Sequence, residues 1–90
     1  MNTQEIMQKI IMKVRDKSLL ATINAVEYVR LRIKGLNPLP HLEDEEEIAK
    51  VIESHLEGLT NEEKEEVLFS LYLNLITSAQ KILIQQFGAG

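Results

Sequence analysis

Residues 67–87 read VLFSLYLNLITSAQKILIQQF, a stretch long and apolar enough to decide how the chain folds. At about 100° per residue, its apolar side chains fall on two neighbouring stripes of one helix. The first stripe consists of Leu68, Leu71, Leu75, Ala79 and Ile82, and the second of Phe69, Leu73, Ile76, Leu83 and Phe87. A helix with so wide an apolar surface is either surrounded by other helices or buries one stripe in another chain.

A specific boundary signal directly precedes this stretch. Thr60-Asn61-Glu62-Glu63 matches a capping box, in which Thr60 caps the helix and Glu63 reaches back to the Thr60 backbone amide. The sequence therefore predicts a helix from there to about Phe87. Residues 88–90, Gly-Ala-Gly, are expected to form a flexible tail.

The N-terminal third has a helical pattern that changes direction once. From Thr3 to about Arg15 one face is apolar, and it consists of Ile6, Met7, Ile10, Ile11 and Val14. The pattern then continues in Leu19, Val26, Val29 and Ile33, rotated by roughly a quarter turn. Because Asp16 and Ser18 can cap a new helix, we expect a break there and a second helix from Ser18 to Lys34. One continuous helix from Thr3 to Lys34 is the alternative.

Glycines and prolines mark the remaining boundaries. Gly35 is expected to end the second helix, because the residue after a helix favours left-handed backbone. Pro38 and Pro40 keep the linker that follows from being helical. A third helix is predicted from Glu43 until Gly58 stops it.

No alternating strand pattern bounded by turn signals occurs in the chain. The predicted fold is therefore all-α, with residues 1–87 forming a single helical domain. We expect a small antiparallel bundle of three to four helices around the long C-terminal helix.

Composition limits the class of protein. With 44% hydrophobic and 27% charged residues, the chain is too apolar for intrinsic disorder. It has no cysteine, which excludes disulfides and cysteine nucleophiles. Basic residues interrupt the apolar positions near the N-terminus, so no signal peptide is predicted and a cytoplasmic location is expected.

The net charge of −4 conceals an asymmetry between the two halves of the chain. Residues 1–34 carry seven Lys and Arg against three acids, whereas residues 35–90 carry three against eleven. This asymmetry fits two halves that attract each other in the folded molecule, and it also fits a polyanion-binding surface. The candidate polyanion contacts are Lys9, Lys13, Lys17, Arg30, Arg32 and Lys34.

The sequence contains no motif for catalysis or metal binding. The acidic run Glu43–Glu47 lacks the glycine bend of a calcium loop, so we interpret it as a solvated helix start. His41 and His55 lack the spacing of a helical zinc motif, and His55 is expected to pack partly buried. Neither a serine nucleophile motif nor a glycine-rich phosphate loop occurs. We predict a protein that is not an enzyme and that needs no cofactor or metal.

The second apolar stripe of the C-terminal helix suggests a function in binding. Although its length suffices to cross a membrane, Asn74, Gln80 and Lys81 make insertion costly, and no membrane association is predicted. Aromatic residues on an apolar face favour a protein interface instead. The expected interface residues are Phe69, Tyr72, Leu73, Ile76, Leu83 and Phe87.

The predicted function is a small cytosolic helical protein–protein interaction module of the adaptor, inhibitor, immunity or assembly-factor type. Its expected partner is another protein, a second copy of the chain in a homodimer, or both. One alternative is a nucleic-acid-binding protein that uses the basic N-terminal half. Another is a non-catalytic subunit of a larger enzyme.

Overall fold

The computed structural model describes residues 2–39 and 44–88. It contains four α-helices, α1 at Thr3–Val14, α2 at Leu19–Ile33, α3 at Glu45–Leu56 and α4 at Asn61–Leu83, and α4 continues into a π-helical turn at Ile84–Gly88. No strand occurs within these two described ranges. The prediction of a small all-α bundle with a long C-terminal helix is confirmed.

The first two helices are separate, so the alternative of one continuous helix is wrong. The Lys17 backbone N–H donates to the Val14 carbonyl at 2.9 Å and closes α1. The Ser18 side chain then accepts the Ala21 backbone N–H at 3.3 Å, as an N-cap does. This turn lets each helix direct its own apolar face to the core, which a straight helix would not allow.

The two glycines that were predicted to end helices, Gly35 and Gly58, each follow the end of a helix. Gly35 and Gly58 have φ angles of 84° and 82°, which is the left-handed backbone expected after α2 and α3. Helix α3 begins at Glu45 with Asp44 before it, and the predicted start at Glu43 lies outside the described residues.

The C-terminal boundary differs from the prediction by one residue. Gly88 was expected in the tail, but it belongs to the π-helical turn that extends α4. Ala89 and Gly90 lie outside the described residues. Helical backbone therefore includes the whole apolar stretch up to Phe87.

The four helices form one core. Helix α4 packs against α1 and α2, and α3 packs against the same two helices, whereas the sequence neighbours α1 and α2 contact each other little. The buried apolar residues are Met7, Ile10, Val14, Ala21, Ala25, Val26, Tyr28, Val29, Ile48, Ala49, Ile52, Leu56, Leu59, Val67, Leu68, Leu71 and Leu75. All four helices therefore bury apolar side chains in it.

The two helices that pack against α4 run in opposite directions. The predicted antiparallel arrangement holds for α2 and α4, because the end of α2 lies beside the start of α4. Helix α1 runs in the same direction as α4. Its Thr3 hydroxyl lies 3.5 Å from the Glu66 carboxylate, and its Val14 lies beside Ile82. The π-helical turn that follows α4 consequently extends past the end of α1.

Candidate functional site

The second apolar stripe of α4 faces solvent. Phe69 is 55% exposed, Leu73 49%, Leu83 55% and Phe87 79%. Tyr72 and Ile76 are half-buried, and Tyr72 packs against the core. We call these six residues the outer face of α4. The structure thus places all of the predicted interface residues on one helix, four of them largely uncovered.

The first stripe is covered only along part of its length. Leu68, Leu71 and Leu75 are buried, Ala79 is half-buried, and Ile82 is 46% exposed. Cover from α1 ends at Ile82, because Val14, the last residue of α1, lies beside it. The C-terminal end of α4 therefore exposes apolar side chains from both stripes.

Ile84 belongs to this exposed end, although the sequence analysis did not assign it to the interface. It is 64% exposed and begins the π-helical turn. The signal for it was the unbroken apolar triplet at Ile82, Leu83 and Ile84, which spreads around the helix rather than following one stripe. We call these three residues together with Phe87 the overhang of α4.

Two hydroxyl groups in the middle of α4, those of Thr77 and Ser78, bond within their own helix. The Thr77 hydroxyl donates to the Leu73 carbonyl at 2.8 Å, and the Ser78 hydroxyl donates to the Asn74 carbonyl at 3.1 Å. The Thr77 hydroxyl, which lies nearer the outer face, therefore presents less polarity to an incoming partner, because its hydrogen is already donated. The middle of α4 consequently presents less polarity than its sequence indicates.

The start of α4 is strongly acidic and well capped. The Thr60 backbone N–H donates to the Glu63 carboxylate at 3.0 Å, and the Glu63 N–H donates to the Thr60 hydroxyl at 3.2 Å. Hydrogen bonds to its carboxylate, first from the Thr60 backbone and then from the Thr60 side chain, lower the pKa of Glu63 below its ordinary value, because they favour the ionised form. Negative charge is thus concentrated at one end of the outer face and absent from its centre.

The candidate polyanion contacts are not gathered into one free basic surface. Lys17 lies 3.6 Å from Glu47, and Arg32 lies 2.9 Å from Glu53, so both pair with acids of α3. The Arg32 guanidinium also lies over the Tyr28 ring, 4.9 Å from its centroid.

Of the other four candidate polyanion contacts, one forms an ion pair and three are exposed. Arg30 pairs with Glu27 of its own helix at 2.9 Å. Lys9, Lys13 and Lys34 are exposed, the first two on α1 and the third after α2. Two cations of the basic half thus serve contacts to the acidic half, which supports the interpretation that the halves attract each other.

One part of the acidic run is not solvated, contrary to the prediction. Glu45 is only 1% exposed, because it lies on the same face of α3 as Ile48, Ala49 and Ile52. Among the described residues, no buried side-chain nitrogen or oxygen lacks a hydrogen-bond partner. The acidic run is therefore partly a packing element, while Glu46 and Glu47 are exposed.

His55 lies in the last turn of α3 and is the one histidine within the described residues. His55 is half-buried as predicted, and its Nδ1 lies 2.9 Å from the Val51 carbonyl. His41 lies outside the described residues. Within the described ranges, no group of three or more His, Asp or Glu side chains is placed to hold a metal ion.

The segment Asn61–Phe87 is long and apolar enough to cross a membrane, and 22% of its most apolar window is buried. Length and composition alone do not separate a membrane helix from a core helix of a soluble bundle. Here α1 and α2 hold Leu68, Leu71 and Leu75 in the core, so insertion would require α4 to leave the bundle.

Comparison of the chain with protein-family models, curated proteins and solved structures finds no match.

Proposed function

We propose that this protein is a small cytosolic protein–protein interaction module that binds through the outer face of α4 and self-associates. The supporting observation is the exposure of Phe69, Leu73, Leu83 and Phe87 along one helix. No catalytic role is proposed. An adaptor, inhibitor, immunity or assembly role is compatible with such a surface, because each requires only that one protein cover another.

The apolar area favours a binding role over simple solvent exposure. The outer face and the overhang together expose on the order of several hundred Å² of apolar surface, which monomeric proteins rarely leave uncovered unless it is functional. Each Å² removed from water contributes roughly 25 cal/mol. Burial of this surface would therefore provide a substantial driving force for association.

The aromatic residues are placed as interface anchors. Phe69 lies at one end of the outer face, on α4, and Phe87 lies at the other end, on the π-helical turn. Large aromatic side chains with few rotatable bonds contribute strongly to binding because little conformational entropy is lost on burial. Phe69 is therefore the residue whose replacement tests the proposal.

The test measures molar mass by light scattering at micromolar protein concentration. The wild-type chain is expected to give a mass near twice 10.3 kDa. Phe69→Glu is expected to shift the mass toward the single-chain value, because a carboxylate would be buried without a partner. Leu20→Glu is the matched control, since Leu20 is 61% exposed but lies on α2.

Retention of the dimer mass by Leu20→Glu and its loss in Phe69→Glu would support the proposal. If the wild-type protein has the mass of a single chain and the variants have the same mass, self-association is contradicted. Equal loss of the dimer in both variants would contradict the assignment of the interface to α4. Circular dichroism of each variant checks that the helices remain folded.

A further inference from the structure

The outer face of α4 contains a regular spacing that extends through one polar residue. The exposed side of the helix contains six positions in order: Phe69, Leu73, Ile76, Gln80, Leu83 and Phe87. Successive positions are separated by four, three, four, three and four residues. From Phe69 to Leu83 this is the spacing at which an α-helix meets another helix in a coiled coil. The last step, from Leu83 to Phe87, runs through the π-helical turn that continues α4. Gln80 is exposed and is the one polar member of the series.

The spacing is the same when it is read from either end. Phe69 and Phe87 are equidistant from position 78, as are Leu73 and Leu83, and as are Ile76 and Gln80. A two-fold axis relates identical surfaces, so residue i of one copy contacts residue j of the other and the reverse. An antiparallel pair of α4 helices centred near position 78 therefore places like with like at four of its six contacts.

We propose that two copies of this protein associate antiparallel through α4, with Phe69 of each copy facing Phe87 of the other. The inference rests on the proposed function, and it adds the identity of the partner and the direction of pairing. Leu73 then faces Leu83 of the other copy. The two Gln80 side chains lie near the axis, where a polar residue in an apolar seam fixes the register.

The acidic start of α4 decides between the two directions. Glu62, Glu63, Glu65 and Glu66 occupy its first two turns. In a parallel pair the glutamates of one chain would face the same glutamates of the other chain. Contact between like charges is unfavourable. In the antiparallel pair the two acidic sets are roughly 40 Å apart, from the 1.5 Å rise per residue, which is several Debye lengths at physiological salt.

The antiparallel direction also covers the overhang of α4. Leu83 and Phe87 have no cover from α1, which ends beside Ile82. In the pair they lie on the part of the partner's α4 that is fixed in the bundle. The surface that one chain leaves exposed is thus the surface that the other chain covers. Because this seam is smaller than a standard interface of about 800 Å² per partner, we expect micromolar rather than nanomolar affinity.

The test is a pair of opposite charges placed at the proposed contact. Phe69→Glu is expected to be monomeric alone, because each pairing then buries a carboxylate against a phenyl ring. Phe87→Lys is expected to pair more weakly than the wild type, because both Phe69–Phe87 contacts are lost. In an equimolar mixture, the antiparallel pair faces the new carboxylate with the new ammonium group and keeps one Phe69–Phe87 contact. Light scattering of the mixture is expected to restore a mass near twice 10.3 kDa.

The matched control is a mixture of Phe69→Glu with Phe87→Glu, in which the antiparallel pair would face two carboxylates. This mixture is expected to stay monomeric. A wild-type dimer whose opposite-charge mixture stays monomeric would overturn the antiparallel pairing and leave self-association standing. A monomeric wild type that instead partitions onto phosphatidylcholine vesicles would overturn both proposals.

Spin-label distances test the direction without altering the seam. The chain has no cysteine, so Glu62→Cys and Thr77→Cys each introduce one unique labelling site. The antiparallel pair predicts about 50 Å between labels at position 62 and less than about 20 Å at position 77, from the helical rise and the spacing of packed helices. A short distance at both positions would overturn the inference.

Discussion

Thr60 and Glu63 exchange two hydrogen bonds at the start of α4, and each bond is made between residues three apart in the sequence. Such contacts depend only on neighbouring residues, which is why the sequence predicted this capping box and the Ser18 cap correctly. Burial depends on distant residues. Glu45 was misassigned to solvent because it was interpreted from its charge, although its spacing to Ile48, Ala49 and Ile52 places it on the apolar side of α3.

At the residue scale, we predict that Glu63 makes folding stability depend on acid pH. Its folded-state pKa is lowered by the hydrogen bonds from Thr60, so its contribution is fully present above its unfolded-state pKa and is lost as the pH falls through the lowered value. Glu63→Gln keeps a side-chain acceptor for the capping box but does not titrate.

Urea unfolding at a series of pH values checks this prediction. Between about pH 5.5 and 8 the stability difference between wild type and Glu63→Gln is expected to be constant, and it should shrink below about pH 4.5. Glu62→Gln, in the same turn, is the matched control for net charge. A pH-independent difference for Glu63→Gln would show that the capping bonds do not favour the ionised carboxylate.

At the scale of one element, α4 has one side that packs in the core and another side that is exposed to solvent. Periodicity in the sequence predicted two apolar stripes, and both exist in the helix. It could not predict how far the first stripe is covered, because that depends on the direction of α1 and on where α1 lies along α4. With 12 residues, α1 spans roughly 18 Å, against about 34 Å for the 23 residues of α4.

The two sides of α4 are expected to respond differently to the same substitution. Leu71→Ala removes a fully buried side chain and should lower the free energy of unfolding by about 2–5 kcal/mol. Leu83→Ala, at a largely exposed position, should cost less than about 1 kcal/mol at a concentration where the chain is monomeric. Chemical denaturation at low protein concentration measures both. Similar losses in the two variants would mean that Leu83 is covered within its own chain.

At the scale of the whole molecule, the asymmetric charge of the sequence is partly neutralised inside one fold. The pairs Lys17–Glu47 and Arg32–Glu53 join the basic and acidic halves. The sequence showed the asymmetry but not the pairing, and the parallel run of α1 beside α4 was likewise not predicted. Both are set by long-range packing, in which α1 and α2 contact α3 and α4 rather than each other.

Self-association makes the stability of the whole molecule depend on its concentration. Because binding to the folded state stabilises it by mass action, the thermal midpoint of the wild-type chain should rise by several degrees over a hundredfold increase in protein concentration. Calorimetry or circular dichroism measures this midpoint. Phe69→Glu should give one midpoint at all concentrations, and a constant midpoint in the wild type would count against a dimer.

Hydroxyl-radical footprinting of the wild-type chain tests most directly whether protein covers the outer face of α4. Phe69 and Phe87 should become protected as the protein concentration rises through the micromolar range, since their rings move from water into the interface. Met12, which is 63% exposed on α1, provides the internal reference and should react equally throughout. Constant reactivity of both phenylalanines at every concentration would contradict the account.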